Sequence, residues 1–201
     1  MNREQSVSSG FSTVQTTHGV LRAAARKCLI SMILVLTAAS VTVAQSKLSY
    51  AQSIFLLKSL KPSLKSIGVI ASNLSDAEVK LIGRAALGQG IKIAIAKVND
   101  VSEISSLYKS LITEHSAELV WIPNVNDDIL LGVGFDFLRE NTILDRVGLC
   151  VPAKELVAKG ALCSVESQNE KVVVYLNKRI AQVDGINPPT SQDPTIQYVV
   201  Q

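Results

Sequence analysis

From Gln45 onward the apolar positions fall into short blocks, and their spacing alternates between that of helices and that of strands. Leu48, Ala51, Ile54, Phe55, Leu56 and Leu60 share one side of a helix that must stop before Pro62. Ser66–Ala71 is a short apolar run that predicts a buried strand. Asn73-Leu74-Ser75-Asp76 supplies caps for a helix over Ala77–Leu87, which Gly88 and Gly90 close. Ile91–Lys97 predicts a second strand. Asp100 or Ser102 caps a helix over Glu103–Glu114, where Ile104, Leu107, Leu111 and Ile112 keep helical spacing. Glu118–Ile122 predicts a third strand, ended by Pro123. Asn126 opens a helix from Asp127 to Glu140, and the acidic pair Asp127 and Asp128 suits its N-terminus. Arg146–Val151 predicts a fourth strand, Ala153–Lys159 a short helix and Ala161–Val165 a fifth strand. Asn169–Val183 is expected as the last long helix, Asp184–Pro189 as a turn and Thr195–Val200 as a closing extended segment.

This alternation predicts an α/β fold: a three-layer, doubly wound parallel sheet of about five strands with right-handed crossovers, a flavodoxin-like lobe. The N-terminal part follows a different pattern. Residues 28–44 carry no charge, and Arg22, Arg26 and Lys27 stand just before them. Small residues follow the most apolar part and end in Thr42-Val43-Ala44. A positive flank, a short apolar stretch and small residues form the pattern of a secretory signal, with cleavage expected after Ala44. An uncleaved membrane anchor is the alternative, since the stretch lies at the lower edge of a spanning length. Two domains are therefore expected: residues 1–44 as a targeting segment and 45–201 as one α/β lobe in the periplasm or another extracytoplasmic space.

Composition narrows the functions. With 47% hydrophobic and 18% charged residues the chain is globular rather than disordered. Aromatics make up 4%, so the core must rest on aliphatic packing. The net charge is +3, and much of the basic excess sits at Arg22, Arg26 and Lys27. No Arg/Lys stripe with interleaved aromatics occurs, which argues against nucleic acid as a partner. Membrane contact is expected only through residues 28–44.

Catalytic chemistry finds little support. Gly83 and Gly88 have the spacing of a phosphate loop, but no Gly-Lys-Ser/Thr follows. No Gly-x-Ser-x-Gly elbow exists, and of the two histidines His18 lies in the targeting segment and His115 at a helix end, where it suits the helix dipole better than the role of a base. No spaced His/Cys cluster suggests a metal. No enzyme activity and no cofactor are expected. Cys150 and Cys163 lie on consecutive predicted strands; the restrictive geometry of a bridge favours two buried thiols, with a disulfide as the alternative.

In a doubly wound sheet, ligands bind beyond the C-terminal strand ends. Those ends are amide-rich here, and Asn and Gln both donate and accept hydrogen bonds. Ser72, Asn73, Asn124, Asn126 and Ser167 are the expected ligand contacts. The competing reading of Asn73 and Asn126 is that they cap helices.

Several stretches carry a resemblance in order: Ile54–Leu60 with Pro62 and Ile67-Gly68-Val69-Ile70, Leu119-Val120-Trp121-Ile122-Pro123, Val147–Val151, Lys159-Gly160-Ala161-Leu162, and Gly185-x-Asn187-Pro188. From Tyr50 to Val199 the chain resembles the substrate-binding proteins of ABC transporters, which have a periplasmic-binding type I fold. That resemblance implies a binding protein, not an enzyme, that takes a small amino-acid-like solute and delivers it to an ABC permease. The family has two similar lobes, and this chain resembles the second alone. Val125 stands where the family has Asp, and Gln168, Asn169 and Val172 replace its Tyr and Gly. These departures keep an alternative open: a single-lobe envelope interaction protein that has lost ligand binding and pairs with itself as a homodimer or with another envelope protein.

Overall fold

The computed structural model describes residues 48–169, 171–187 and 193–201. The expected targeting segment lies outside the described residues. Seven strands form one sheet: β1 (Ser66–Ala71), β2 (Lys92–Lys97), β3 (Leu119–Trp121), β4 (Gly148–Val151), β5 (Cys163–Gln168), β6 (Lys171–Leu176) and β7 (Ile196–Val200). Their order is β2-β1-β3-β4-β5-β6-β7. Every neighbouring pair is parallel except β5 and β6. The helices are α1 (Tyr50–Leu60), α2 (Asp76–Gly88), α3 (Ile104–Thr113), α4 (Asp128–Leu131), α5 (Val133–Asp145), α6 (Lys154–Ala158) and α7 (Lys178–Val183), with a 3-10 turn at Val101–Glu103.

The two-residue period of the strands builds two cores, one on each face. Ile67, Val69, Leu119, Trp121, Cys150 and Val174 face α1, α2 and α7. Ile70, Val120, Leu149, Val151, Val173 and Tyr175 face α3, α4, α5 and α6. Both faces of the central strands are covered, which is why β1, β3 and β4 are buried along their whole length. Gly68 lets α3 approach β1 closely: a Cβ there would lie 3.1 Å from both Ala117 and Leu111.

The doubly wound three-layer lobe matches the expectation, with more strands and three local differences. First, Asn169–Val183 is not one helix. Lys171–Leu176 forms β6, antiparallel to β5 with Gln168 opposite Lys171, and only Lys178–Val183 is helical. The run Val172-Val173-Val174-Tyr175 is β-branched and aromatic, and it packs on both faces. Asn169 turns the hairpin in the left-handed region at φ 49°, a conformation Asn tolerates. Second, the helix after β3 breaks at Gly132, whose ψ is −116°. A Cβ at Gly132 would sit 2.8 Å from the Asp128 carbonyl oxygen. The cap of α4 is Asp127, not Asn126. Third, Phe55 is 49% exposed, and Leu57 takes the buried position on α1.

One buried side-chain polar atom has no hydrogen-bond partner among the described residues, the Ser164 hydroxyl on β5. Ser164 is fully buried and opposite Tyr175. Ser164→Ala is expected to raise stability by about 1 kcal/mol, because an unsatisfied buried hydroxyl costs roughly 1–3 kcal/mol. Urea unfolding followed by circular dichroism checks it; a fall in the midpoint contradicts it.

Candidate ligand-binding cleft

β1 lies between β2 and β3, so the crossovers leave β1 and β3 in opposite directions. A crevice is expected at that switch point, beyond the C-terminal strand ends. A cleft of about 750 Å³ opens there. Its walls come from α1, from the segments after β1, β3 and β4, and from the end of β5.

The apolar wall centres on Trp121, the chain's sole tryptophan, at the end of β3. Trp121 is only 5% exposed, and Tyr50 meets it edge-on with ring centroids 6.0 Å apart. The Tyr50 hydroxyl donates to Glu78 at 2.7 Å. Glu78 also closes the capping box of α2, accepting from the Ser75 N–H and hydroxyl. A local capping signal, Ser75-x-x-Glu78, thereby positions an aromatic wall that is distant in sequence. Burial, then the hydrogen bond and charge of Glu78, push the Tyr50 phenol above its ordinary range. Tyr50 therefore remains a donor.

A polar knot ties the strand ends together. Asp127 is fully buried. Its carboxylate accepts the Ser72 N–H at 2.7 Å and the Leu130 N–H at 3.1 Å. Asn124 donates to the Asn73 side-chain oxygen at 2.6 Å, and Asn73 donates to the Asn126 carbonyl at 3.2 Å. Of the expected contacts, Asn73, Asn124, Asn126 and Ser167 line the cleft, and Ser72 does not. The structure thus brings four of the five together. Asn73 and Asn124 bond to each other, which holds the loops after β1 and β3 in fixed relation.

The third wall holds the charge. Glu166 accepts the Lys154 N–H at 2.7 Å through one oxygen and the Gln168 amide at 2.9 Å through the other. Gln168 also donates to the Tyr175 hydroxyl at 3.0 Å. The Lys154 ammonium stands 5.7 Å over the Tyr175 ring. Beneath this wall Cys150 and Cys163 are register partners on β4 and β5, and both are buried free thiols. A hydrogen bond with Cys163, then burial, hold the Cys150 thiol well above its ordinary pKa, which disfavours a reactive thiolate.

Sequence reasoning missed Tyr50, Trp121, Lys154 and Glu166 as lining residues. Trp121 and Tyr50 carry strand and helix periodicity, respectively, that reads as core. Glu166 was legible only as the polar end of a strand. Among the described residues no group of three His, Cys, Asp or Glu is placed to hold a metal. No described helix is long and apolar enough to cross a membrane. Aromatic rings, amides and a carboxylate around one cleft are suited to holding a small molecule with an apolar body and a polar end.

Three solved structures share this fold. One is an ABC domain from Streptococcus pneumonia in complex with L-Trp, 22% identical, with a TM-score of 0.60 over 75% of this chain and 62% of that one. The second is a ligand-free, open substrate binding protein with adhesive properties from Clostridium difficile, 16% identical, with a TM-score of 0.59 over 76% and 60%. The third is a conserved domain protein from Vibrio cholerae, 17% identical, with a TM-score of 0.60 over 78% and 62%. The matched part spans about three-fifths of the length of each. No curated protein matches the chain. The family described as ABC transporter substrate binding protein matches residues 20–195, and the chain belongs to that family.

Proposed function

We propose that this protein binds a small amino-acid-like solute in the cleft and serves an ABC-type uptake system. The observation that carries the reading is the 750 Å³ cleft at the strand ends, in a chain of a substrate-binding family. The L-Trp held by the Streptococcus pneumonia protein supports an amino-acid-like class, since that protein shares the fold. The partner is an ABC permease. The lobe over residues 45–201 works outside the cytoplasm, delivered by residues 1–44 acting as a signal cleaved after Ala44 or retained as an anchor. Binding, rather than catalysis, is the family's task.

Asn73, Asn124, Asn126 and Ser167 are the proposed polar contacts, with Ser72 acting behind them through its N–H to Asp127. One observation favours a second reading, an interaction protein that has lost its ligand: Asn73 and Asn124 spend a hydrogen bond on each other.

Thermal unfolding with a panel of amino acids and small carboxylates separates the two. A ligand of the folded state alone raises the midpoint by mass action, by about 2.7 kcal/mol in stability at a hundredfold excess over Kd. A saturable rise with one compound class is expected. Asn124→Ala is expected to weaken that compound's binding about tenfold, by releasing Asn73 as well as removing the Asn124 amide. A midpoint unmoved by every compound supports the second reading.

A further inference from the structure

We propose that the chain carries a second binding site, at the edge of the sheet opposite the cleft, for a single-chain anionic amphiphile of the fatty-acid kind. It goes beyond the solute-binding reading and uses none of the cleft residues.

The strands that end at the cleft begin at the other edge of the sheet. There β4 and β5 start, and β6, running the other way, stops. A second cavity of about 510 Å³ opens at this edge, within the usual range of small-molecule sites. Its floor is apolar, formed by Val147, Leu149 and Leu162 at the starts of β4 and β5. Ile143 near the end of α5 forms one side, and Ile180 and Val183 on α7 form the other. Leu149 and Leu162 are buried, but Ile143 is 47% and Val183 63% exposed. Covering such apolar groups is favourable in proportion to the area removed from water. A narrow alkyl chain covers the sides and also reaches the floor.

The charged groups around the cavity set the sign of the head group. Arg139 is already engaged: it pairs with Glu140 at 3.1 Å and Asp136 at 3.5 Å, and donates to the Lys159 carbonyl at 3.4 Å. That pairing also accounts for Glu140. Asp184 is half-buried; burial pushes its carboxyl up, and the charge of Lys61 pulls it back. Its anion is thus answered by a lysine outside the cavity lining. Two lining cations remain, Lys159 and Arg179. Both are exposed, and among the described residues neither side chain has a hydrogen-bond or ion-pair partner. Lys159 follows α6 and Arg179 lies on α7, so the pair comes from elements on the two faces of the sheet. An anionic head complements these two charges, and a cationic head is repelled. Arginine in addition matches a carboxylate with two parallel hydrogen bonds.

The test is calorimetric titration of the full chain with decanoate below its micelle concentration, beside 1-decanol, decylamine and acetate. Each buried methylene of the tail contributes about fourfold in affinity, and each exposed cation about threefold. Decanoate is therefore expected to bind saturably and decanol about tenfold more weakly. Decylamine should bind more weakly still, and acetate, which has the charge without the tail, not measurably. Replacing both cations, Lys159→Gln with Arg179→Gln, should weaken decanoate about tenfold, to the level of decanol. Both side chains are exposed, so the urea midpoint of that variant should not move. Val183→Glu, four residues after Arg179 on α7, should weaken decanoate in the same sense by pairing with Arg179. Decylamine binding as tightly as decanoate, decanoate affinity unmoved by the double variant, or no saturable decanoate binding overturns the inference and leaves the solute-binding reading standing. Failure of every amino acid and small carboxylate in the thermal panel, with decanoate still bound, overturns that reading alone.

Discussion

Trp121→Ala is expected to lower stability by about 3–5 kcal/mol and to abolish solute binding. The side chain is 5% exposed and sits at the end of β3, between the neighbouring strands β1 and β4. Truncation leaves a cavity under the cleft and removes the edge-on partner of Tyr50. Tyr50 then keeps its hydrogen bond to Glu78 but loses its ring partner, so α1 loses part of its anchorage beside the cleft. Trp121→Phe keeps most of the volume and should cost far less. Circular dichroism during urea unfolding provides the measurement. A large drop in midpoint for Ala with an unchanged slope, and a small one for Phe, fit the account. Equal costs for both would show that the indole is not what the wall depends on.

Asp127→Ala carries the second largest effect, a loss of about 2–4 kcal/mol. Two contributions combine: the missing helix cap, roughly 1 kcal/mol, and the buried N–H groups of Ser72 and Leu130 left without acceptors, roughly 1–3 kcal/mol. For a domain of this size the melting temperature should fall by about 10 °C. Asp127→Asn retains one acceptor oxygen and a good capping residue, so it should lie between the two. The functional consequence is distinct from the thermodynamic one. Asp127 ties the end of β1 to the start of α4, and the Asn73–Asn124 bond spans the same gap. The Ala variant should therefore lose solute affinity even at temperatures where it remains folded.

Much of the architecture was legible in the sequence because helix and strand periods are local. The blocks at Ser66–Ala71 and Asp76–Gly88 emerge almost at their observed bounds, since Ser75 and Glu78 cap the helix within four residues of each other. The stretch after β5 was misread because Val172–Leu176 owes its state to partners far away: β7, twenty residues later, and the second face of the sheet. Propensity favours a strand there, but the polar segment before it resembled a helix start. The turn residue Asn169 was the available signal.

The cleft was legible only in part, for a related reason. Asn73, Asn124, Asn126 and Ser167 follow from topology, because any doubly wound sheet exposes its strand ends at one edge. Tyr50 and Trp121 do not, since a ring that lines a cleft and one that fills a core show the same spacing. Asp127 was readable as a helix-start acid, and nothing in its neighbours indicates that it also reaches Ser72, fifty-five positions away in sequence. Cys150 and Cys163 met as buried free thiols, as strand geometry suggested.

The central claim is that a solute binds among the strand ends of this lobe. Amide and indole proton–nitrogen correlation spectra of the full chain, recorded with the compound that most raises the unfolding midpoint, test it most directly. The account predicts saturable shifts confined to the Trp121 indole N–H, the Asn124 and Gln168 side-chain amides, and the backbone of Lys154 and Ser167. Shifts centred instead at the opposite end of the sheet, around Gly160, Asn177 and Ile180, or no shifts at saturating compound, would contradict it.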